Sequence, residues 1–219
     1  FGLTIPSSLN AMSAKSYSRI LGSNNRLNLA FQGLGRRCPS LLRSATKISD
    51  FNVLYFCDVM DKQILEANKQ LNVLSGYSAK SEKNIHKIFD DKEVDAIIIA
   101  TPDHWHAYGA CKAMEAGKHV YLEKPCSHNL MESELLVNYQ KYYNKVVQMG
   151  NQQRSSTHTI SVINQIHKGL IGDVYSAVAF YNNNRGRVPN QVIMDPPKGL
   201  DWDLFQGPAP RRKYTHDTW

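Results

Sequence analysis

Four short stretches carry residue types whose spacing could do chemistry. Gly33-x-Gly35 follows an apolar run, Leu27–Gln32, and opens a helical pattern. In that context the first glycine permits a tight turn. The second lets backbone approach a pyrophosphate, which then rests on the helix N-terminus. The third position of the fingerprint, where glycine is expected, is Cys38. Two glycines alone also describe an ordinary strand–turn–helix. Asp58 ends a second apolar run, Phe51–Cys57, about 20 residues past the glycine motif. An acid there can accept the ribose hydroxyls of NAD and repel the extra phosphate of NADP, although it can also serve as a turn or cap residue. Arg36 and Arg37 pull the other way, since an arginine in this loop suits a phosphate.

The third stretch is Thr101-Pro102-Asp103-His104-Trp105-His106, at the end of the run Asp95–Ala100. Ligands of doubly wound sheets bind at the carboxyl ends of strands, so two histidines and a tryptophan there suggest a site wall. Asp103, His104 and His106 also raise a metal, but no second ligand cluster completes one. The fourth stretch is Glu123-Lys124-Pro125, after the run His119–Leu122. A lysine desolvated beside a carboxylate and a cationic ring can exchange a proton near neutral pH, as a hydride transfer from a hydroxyl-bearing carbon requires. A surface Lys-Pro turn is the plainer alternative.

The elements that must hold these residues alternate in period. Strands are expected over Leu27–Gln32, Phe51–Cys57, Asp95–Ala100, His119–Leu122, Lys145–Met149 and Val174–Tyr181. Helices are expected over Asp61–Leu74, after an N-cap at Ser81 with Asn84 behind it, over His104–Ala116 up to Gly117, over Met131–Tyr143 and over Thr159–His167. The unbroken apolar run of Asp95–Ala100 marks a strand covered on both faces. Alternation of this kind predicts βαβ units in an α/β fold, a doubly wound parallel sheet.

Composition sets the outer bounds. The 219 residues are 42% hydrophobic and 21% charged, which excludes a disordered chain. No window carries the roughly 18 apolar residues of a membrane-spanning helix. The net charge of +7 is spread singly along the chain, and nucleic-acid binding is not expected from it. Cys38, Cys57, Cys111 and Cys126 have no zinc-site spacing. Residues 1–25 differ in composition from the rest, as an N-terminal extension or the remnant of an export signal would.

Together these residues resemble the family of glucose–fructose oxidoreductase, inositol dehydrogenase and MocA-like proteins. The most specific pieces are Ala100–His106, Gly117-Lys-His-Val-Tyr-Leu-Glu-Lys-Pro125, Gln148–Arg154 and Gly199-Leu-Asp-Trp-Asp-Leu-Phe-Gln-Gly-Pro-Ala-Pro210. The resemblance implies a Rossmann domain over residues 26–150 binding NAD, with NADP less favoured. Residues 151–219 would begin a second α/β domain with an open mixed sheet, through which family members often oligomerise. It implies that Gly33, Leu34, Gly35 and Arg36 hold the pyrophosphate and Asp58 the adenosine ribose. Thr101, His104, Trp105 and His106 would line the nicotinamide half, Glu123 would meet its ribose, and Asn151 would touch the cofactor. Lys124 would be catalytic, and Gln153, Arg154 and Trp202 would face the substrate, a sugar, cyclitol or glycoside. An NAD-dependent glycosidase, using transient oxidation, is a variant of the same chemistry. A dinucleotide-binding module without turnover is the alternative of another class. Met12–Arg26 resembles the mature start of exported bacterial members, which implies a periplasmic protein, with the cytoplasm as the alternative.

Overall fold

The computed structural model describes residues 26–48, 50–182 and 190–216, so the expectation for residues 1–25 lies outside the described residues. Six strands form one parallel sheet: β1 (Leu27–Gln32), β2 (Phe51–Cys57), β3 (Lys80–Glu82), β4 (Ala96–Ile99), β5 (His119–Glu123) and β6 (Val147–Gly150). Their order is β3-β2-β1-β4-β5-β6, the doubly wound order of a Rossmann fold. The helices are α1 (Cys38–Ala45), α2 (Asp61–Ser75), α3 (Ile85–Phe89), α4 (His106–Glu115), α5 (Leu130–Tyr142), α6 (Thr157–His167) and α7 (Trp202–Gln206).

Strand β4 is Ala-Ile-Ile-Ile and lies between β1 and β5. A strand in that place is covered on both sides, which is why it shows no polar alternation. Its neighbours send alternate residues to two separate cores. Leu29 and Phe31 of β1 join Leu42 of α1 and Ile64, Ala67 and Leu71 of α2. Ala30 joins Ile97, Ile99 and the Ala110, Ala113 and Met114 face of α4. Cys38, where the fingerprint prefers glycine, is only 1% exposed and packs into the first core. Burial pushes its thiol up to about 12, so it behaves as a small apolar group.

Two expectations need correcting. Ser81 does not cap a helix: it lies within β3, paired with Phe56, and Asn84 caps α3 by accepting the His86 N–H at 3.0 Å. Val174–Tyr181 is not a strand. Its Val174, Tyr175, Val178, Phe180 and Tyr181 are exposed. Strand propensity reports fit to a paired, half-buried surface, and among the described residues no neighbouring strand supplies a ladder. The amphipathic α6 likewise buries no residue.

The chain returns to the sheet after residue 198. Leu200 makes an antiparallel bridge to Met60, and Asp201 N–H donates to the Val59 carbonyl at 2.9 Å. Asp201 also caps α7, accepting the Leu204 N–H at 2.9 Å. This short helix therefore sits over the carboxyl edge of the sheet.

Candidate active site

The strand order reverses between β1 and β4, and a cleft of about 530 Å³ opens at their carboxyl ends. That is the place where doubly wound sheets bind ligands. Gly33 makes the turn out of β1 with φ 84°. A Cβ there would come within 2.6 Å of the Thr101 nitrogen, so the β1 and β4 loops touch backbone to backbone. A Cβ on Gly35 would meet nothing within 4 Å, which leaves open space beside the start of α1. Gly33, Gly35, Arg36 and Arg37 line the cleft on this side.

Asp58 lines it from the end of β2. One carboxylate oxygen accepts the Leu34 N–H at 2.7 Å and the other the Met60 N–H at 2.9 Å. The acid thus ties the glycine turn to the β2 loop. Burial pushes its carboxyl up, against the pull of these backbone N–H groups. Leu34 itself turns its side chain into the core, so only its backbone belongs to the site.

The turn into α3 forms a further wall through Lys83, Asn84 and Ile85. Glu82 organises it by accepting the N–H groups of Lys83 at 2.8 Å and Asn84 at 3.0 Å. The bond from Asn84, then that from Lys83 and the Lys87 ammonium, hold the Glu82 carboxyl below the ordinary range, against desolvation. Asp91 is lowered in the same way by the Glu93 N–H and the Tyr55 hydroxyl. A lowered folded pKa contributes stability that is present above the unfolded value and lost as pH falls through the folded one. The melting temperature should therefore drop below about pH 4.5, and Glu82→Gln should lose less on acidification than the parent. An acid titration of the melting temperature checks this, and parallel curves would remove Glu82 as a cause.

The histidine cluster separates. Trp105 and Thr101 line the cleft. His104 and Trp105 both approach the Phe205 carbonyl, through Nε2 at 2.8 Å and the donating Nε1 at 2.9 Å. His106 goes the other way. It is 1% exposed, and its two ring nitrogens face the carbonyls of Thr101, at 2.8 Å, and Pro125. It is not among the residues lining the cleft and instead joins the loops after β4 and β5. Among the described residues, no three His, Cys, Asp or Glu lie close enough together to hold a metal.

At the end of β5, Glu123 is buried and pairs with Arg37 Nε at 2.6 Å, while the Tyr121 hydroxyl donates to the same oxygen at 3.4 Å. Of the two readings of Lys124, a desolvated lysine or a surface Lys-Pro turn, the structure has the exposed one, and the Lys124–Pro125 peptide is cis. Its ammonium has no hydrogen-bond or ion-pair partner among the described residues. Asn151, Gln153 and Arg154 follow β6, all exposed, and are not among the residues lining the cleft. Trp202 stacks on Phe205 with ring centroids 5.0 Å apart.

Leu204 and Phe205 of α7 close the cleft from above, and they were missed along with Gln32, Val59, Lys83 and Ile85. Two buried polar atoms at the cleft, Gln32 Oε1 and Thr101 Oγ1, have no partner. A glycine cradle with open space beside it and an unpartnered buried hydroxyl fit a dinucleotide.

A doubly wound parallel sheet with a glycine turn at its crossover defines a Rossmann-type nucleotide-binding protein. The family model described as "Oxidoreductase family, NAD-binding Rossmann fold" matches residues 27–151, and the chain belongs to that family, the Gfo/Idh/MocA oxidoreductases. Among curated relatives, a glycosyl hydrolase family 109 protein of Bacteroides fragilis is 28% identical over 163 residues, covering 72% of this chain and 35% of the relative. An alpha-N-acetylgalactosaminidase of Shewanella oneidensis is 23% identical over 159 residues, covering 71% and 35%. The chain thus spans about a third of the length of these relatives. Among solved structures, myo-inositol 2-dehydrogenase from Lactobacillus plantarum superposes with TM-score 0.60 at 24% identity, covering 68% of this chain and 43% of that one. The WlbA dehydrogenase from Bordetella pertussis, in complex with NADH and UDP-GlcNAcA, gives 0.59 at 20% identity, covering 68% and 44%. A 3-ketoreductase from Actinomadura kijaniata, in complex with TDP-benzene and NADP, gives 0.61 at 16%, covering 68% and 46%. At these identities the structural likenesses concern the fold.

Proposed function

We propose that the chain carries the nucleotide site of an NAD-dependent oxidoreductase acting on a hydroxyl-bearing carbon of a sugar, cyclitol or glycoside. The carrying observation is the crossover cleft, where the Gly33 turn, Asp58 and Thr101 converge. A bound nicotinamide would supply the hydride acceptor. In this reading Gly35 and Arg36 hold the pyrophosphate, and Asp58 accepts from the adenosine ribose while tethering the glycine turn. Thr101 Oγ1 offers a hydrogen bond in the nicotinamide half. His106 fixes the Lys124–Pro125 loop from behind. Lys124 Nζ takes the hydroxyl proton of the substrate or returns it.

NAD is favoured over NADP because a carboxylate at Asp58 opposes a second phosphate on the ribose, although Arg36 and Lys83 share the cleft. Residues 26–150 form the nucleotide-binding unit in this reading, and 151–219 begin a substrate and oligomerisation domain. Export to the periplasm is inferred from Met12–Arg26 alone.

Calorimetric titration with NAD and with NADP is the direct test. NAD should bind at least tenfold more tightly, and tighter NADP would reverse the assignment. Binding of neither would overturn the oxidoreductase reading. The glycosidase variant is favoured by the names of the curated relatives. It recycles its nucleotide, so stoichiometric NADH release with substrate would count against it.

A further inference from the structure

A second cleft, of about 660 Å³, adjoins the first and shares Pro102 and Phe205 with it. Its walls come from three places: the loop after β4 with Asp103 and His104, His128 beyond Lys124, and the segment from Trp202 to Arg212. It therefore lies beside the first cleft. A volume of this order suits a small sugar-like ligand.

Its charge is lopsided. Arg211 and Arg212 line it against one acid, Asp103, with His104 and His128 beside them. Neither arginine pairs with a carboxylate among the described residues. The backbone of Arg212 is nonetheless built in. The buried Gln206, 4% exposed, accepts the Arg212 N–H through Oε1 at 2.6 Å. The Trp202 indole donates to the Arg212 carbonyl at 2.8 Å. Arg211 Nη1 donates to the Asp203 carbonyl at 2.8 Å. Guanidinium groups with no carboxylate paired to them, beside an aromatic pair, are suited to a carboxylate or phosphate.

We infer that this cleft binds the anionic group of an acidic sugar, with Arg211 and Arg212 as its specificity-determining residues. The inference deepens the oxidoreductase reading by naming its substrate class, and it rests on that reading only for the ligand's being a substrate. Binding of the anion is a separate property of the second cleft.

The test is calorimetry on the chain with glucuronate, glucose 6-phosphate and glucose, each with and without NAD. One or both charged sugars should bind at least tenfold more tightly than glucose, and the stronger of the two identifies carboxylate or phosphate as the group read. Arg211→Gln and Arg212→Gln should each weaken that ligand about tenfold. Arg212→Gln keeps the backbone contacts of the segment and Arg211→Gln gives up one exposed hydrogen bond to the Asp203 carbonyl, so their melting temperatures should lie within about 2 °C of the parent. Equal binding of glucose, or an Arg211→Gln/Arg212→Gln double variant with unchanged affinity, would overturn the inference. If NAD fails to bind while the charged sugars still discriminate, the nucleotide reading falls and the anion site stands. If NAD binds and the sugars do not discriminate, the reverse holds.

Discussion

Replacing Gly33 with alanine is expected to lower stability by about 2–5 kcal/mol and to abolish nucleotide binding. Two effects add. At φ 84° an L-residue is strained, at roughly 1–2 kcal/mol. The new methyl would also lie 2.6 Å from the Thr101 nitrogen and 2.7 Å from the Ala100 carbonyl. These are backbone atoms of the adjoining β4 loop and cannot rotate away, so the clash adds about 1–3 kcal/mol. A melting temperature lower by some 5–15 °C would follow for a chain of this size. The contrasting variant is Gly35→Ala, where the methyl meets open space. That variant should fold nearly as well as the parent and yet lose NAD affinity, because the proposed pyrophosphate must approach the backbone there. Chemical denaturation and an NAD-induced thermal shift separate the two. Unchanged stability of Gly33→Ala would mean that the β1 and β4 loops are not in contact as described.

The central strands were readable because their chemistry is extreme. Ile97, Ile98 and Ile99 in succession leave no polar face, and only a strand covered on both sides tolerates that. Edge elements carry no such constraint. Strand β3 is Lys-Ser-Glu, three residues of low apolarity at the sheet margin, and nothing in its pattern separates it from a loop. Val174–Tyr181 erred in the opposite direction, since its residue types favour a strand but a ladder partner is a property of the fold.

The site divides along the same line. Gly33, Asp58 and Thr101 belong to strand ends, and once the strands are placed the crossover brings them together. Leu204 and Phe205 reach the cleft through a return of the chain after residue 198, a long-range contact with no local signature. His104 and His106 sit two apart where a short 3₁₀ turn enters α4. Counting residues put both on the wall. The turn instead sends one outward to the Phe205 carbonyl and the other inward between two loops.

Lys124 gives the other large expected effect. If its Nζ handles the substrate proton, Lys124→Ala should lower kcat by about 10²–10⁴-fold while NAD affinity stays within about threefold. The separation is expected because the exposed side chain contributes to neither hydrophobic core. Stability should therefore be unchanged, and loss of turnover could not be ascribed to unfolding. Glu123 behaves differently. It is buried and pairs with Arg37 at 2.6 Å, so Glu123→Ala would release an arginine that lines the cleft and disturb the site's geometry. Comparing the two variants tests which residue is chemical and which is positional. Lys124→Arg sharpens the comparison, because it keeps the charge but cannot release a proton near neutral pH. An arginine variant as inactive as alanine would identify proton transfer as the lost function. One with parental turnover would leave only an electrostatic role for position 124.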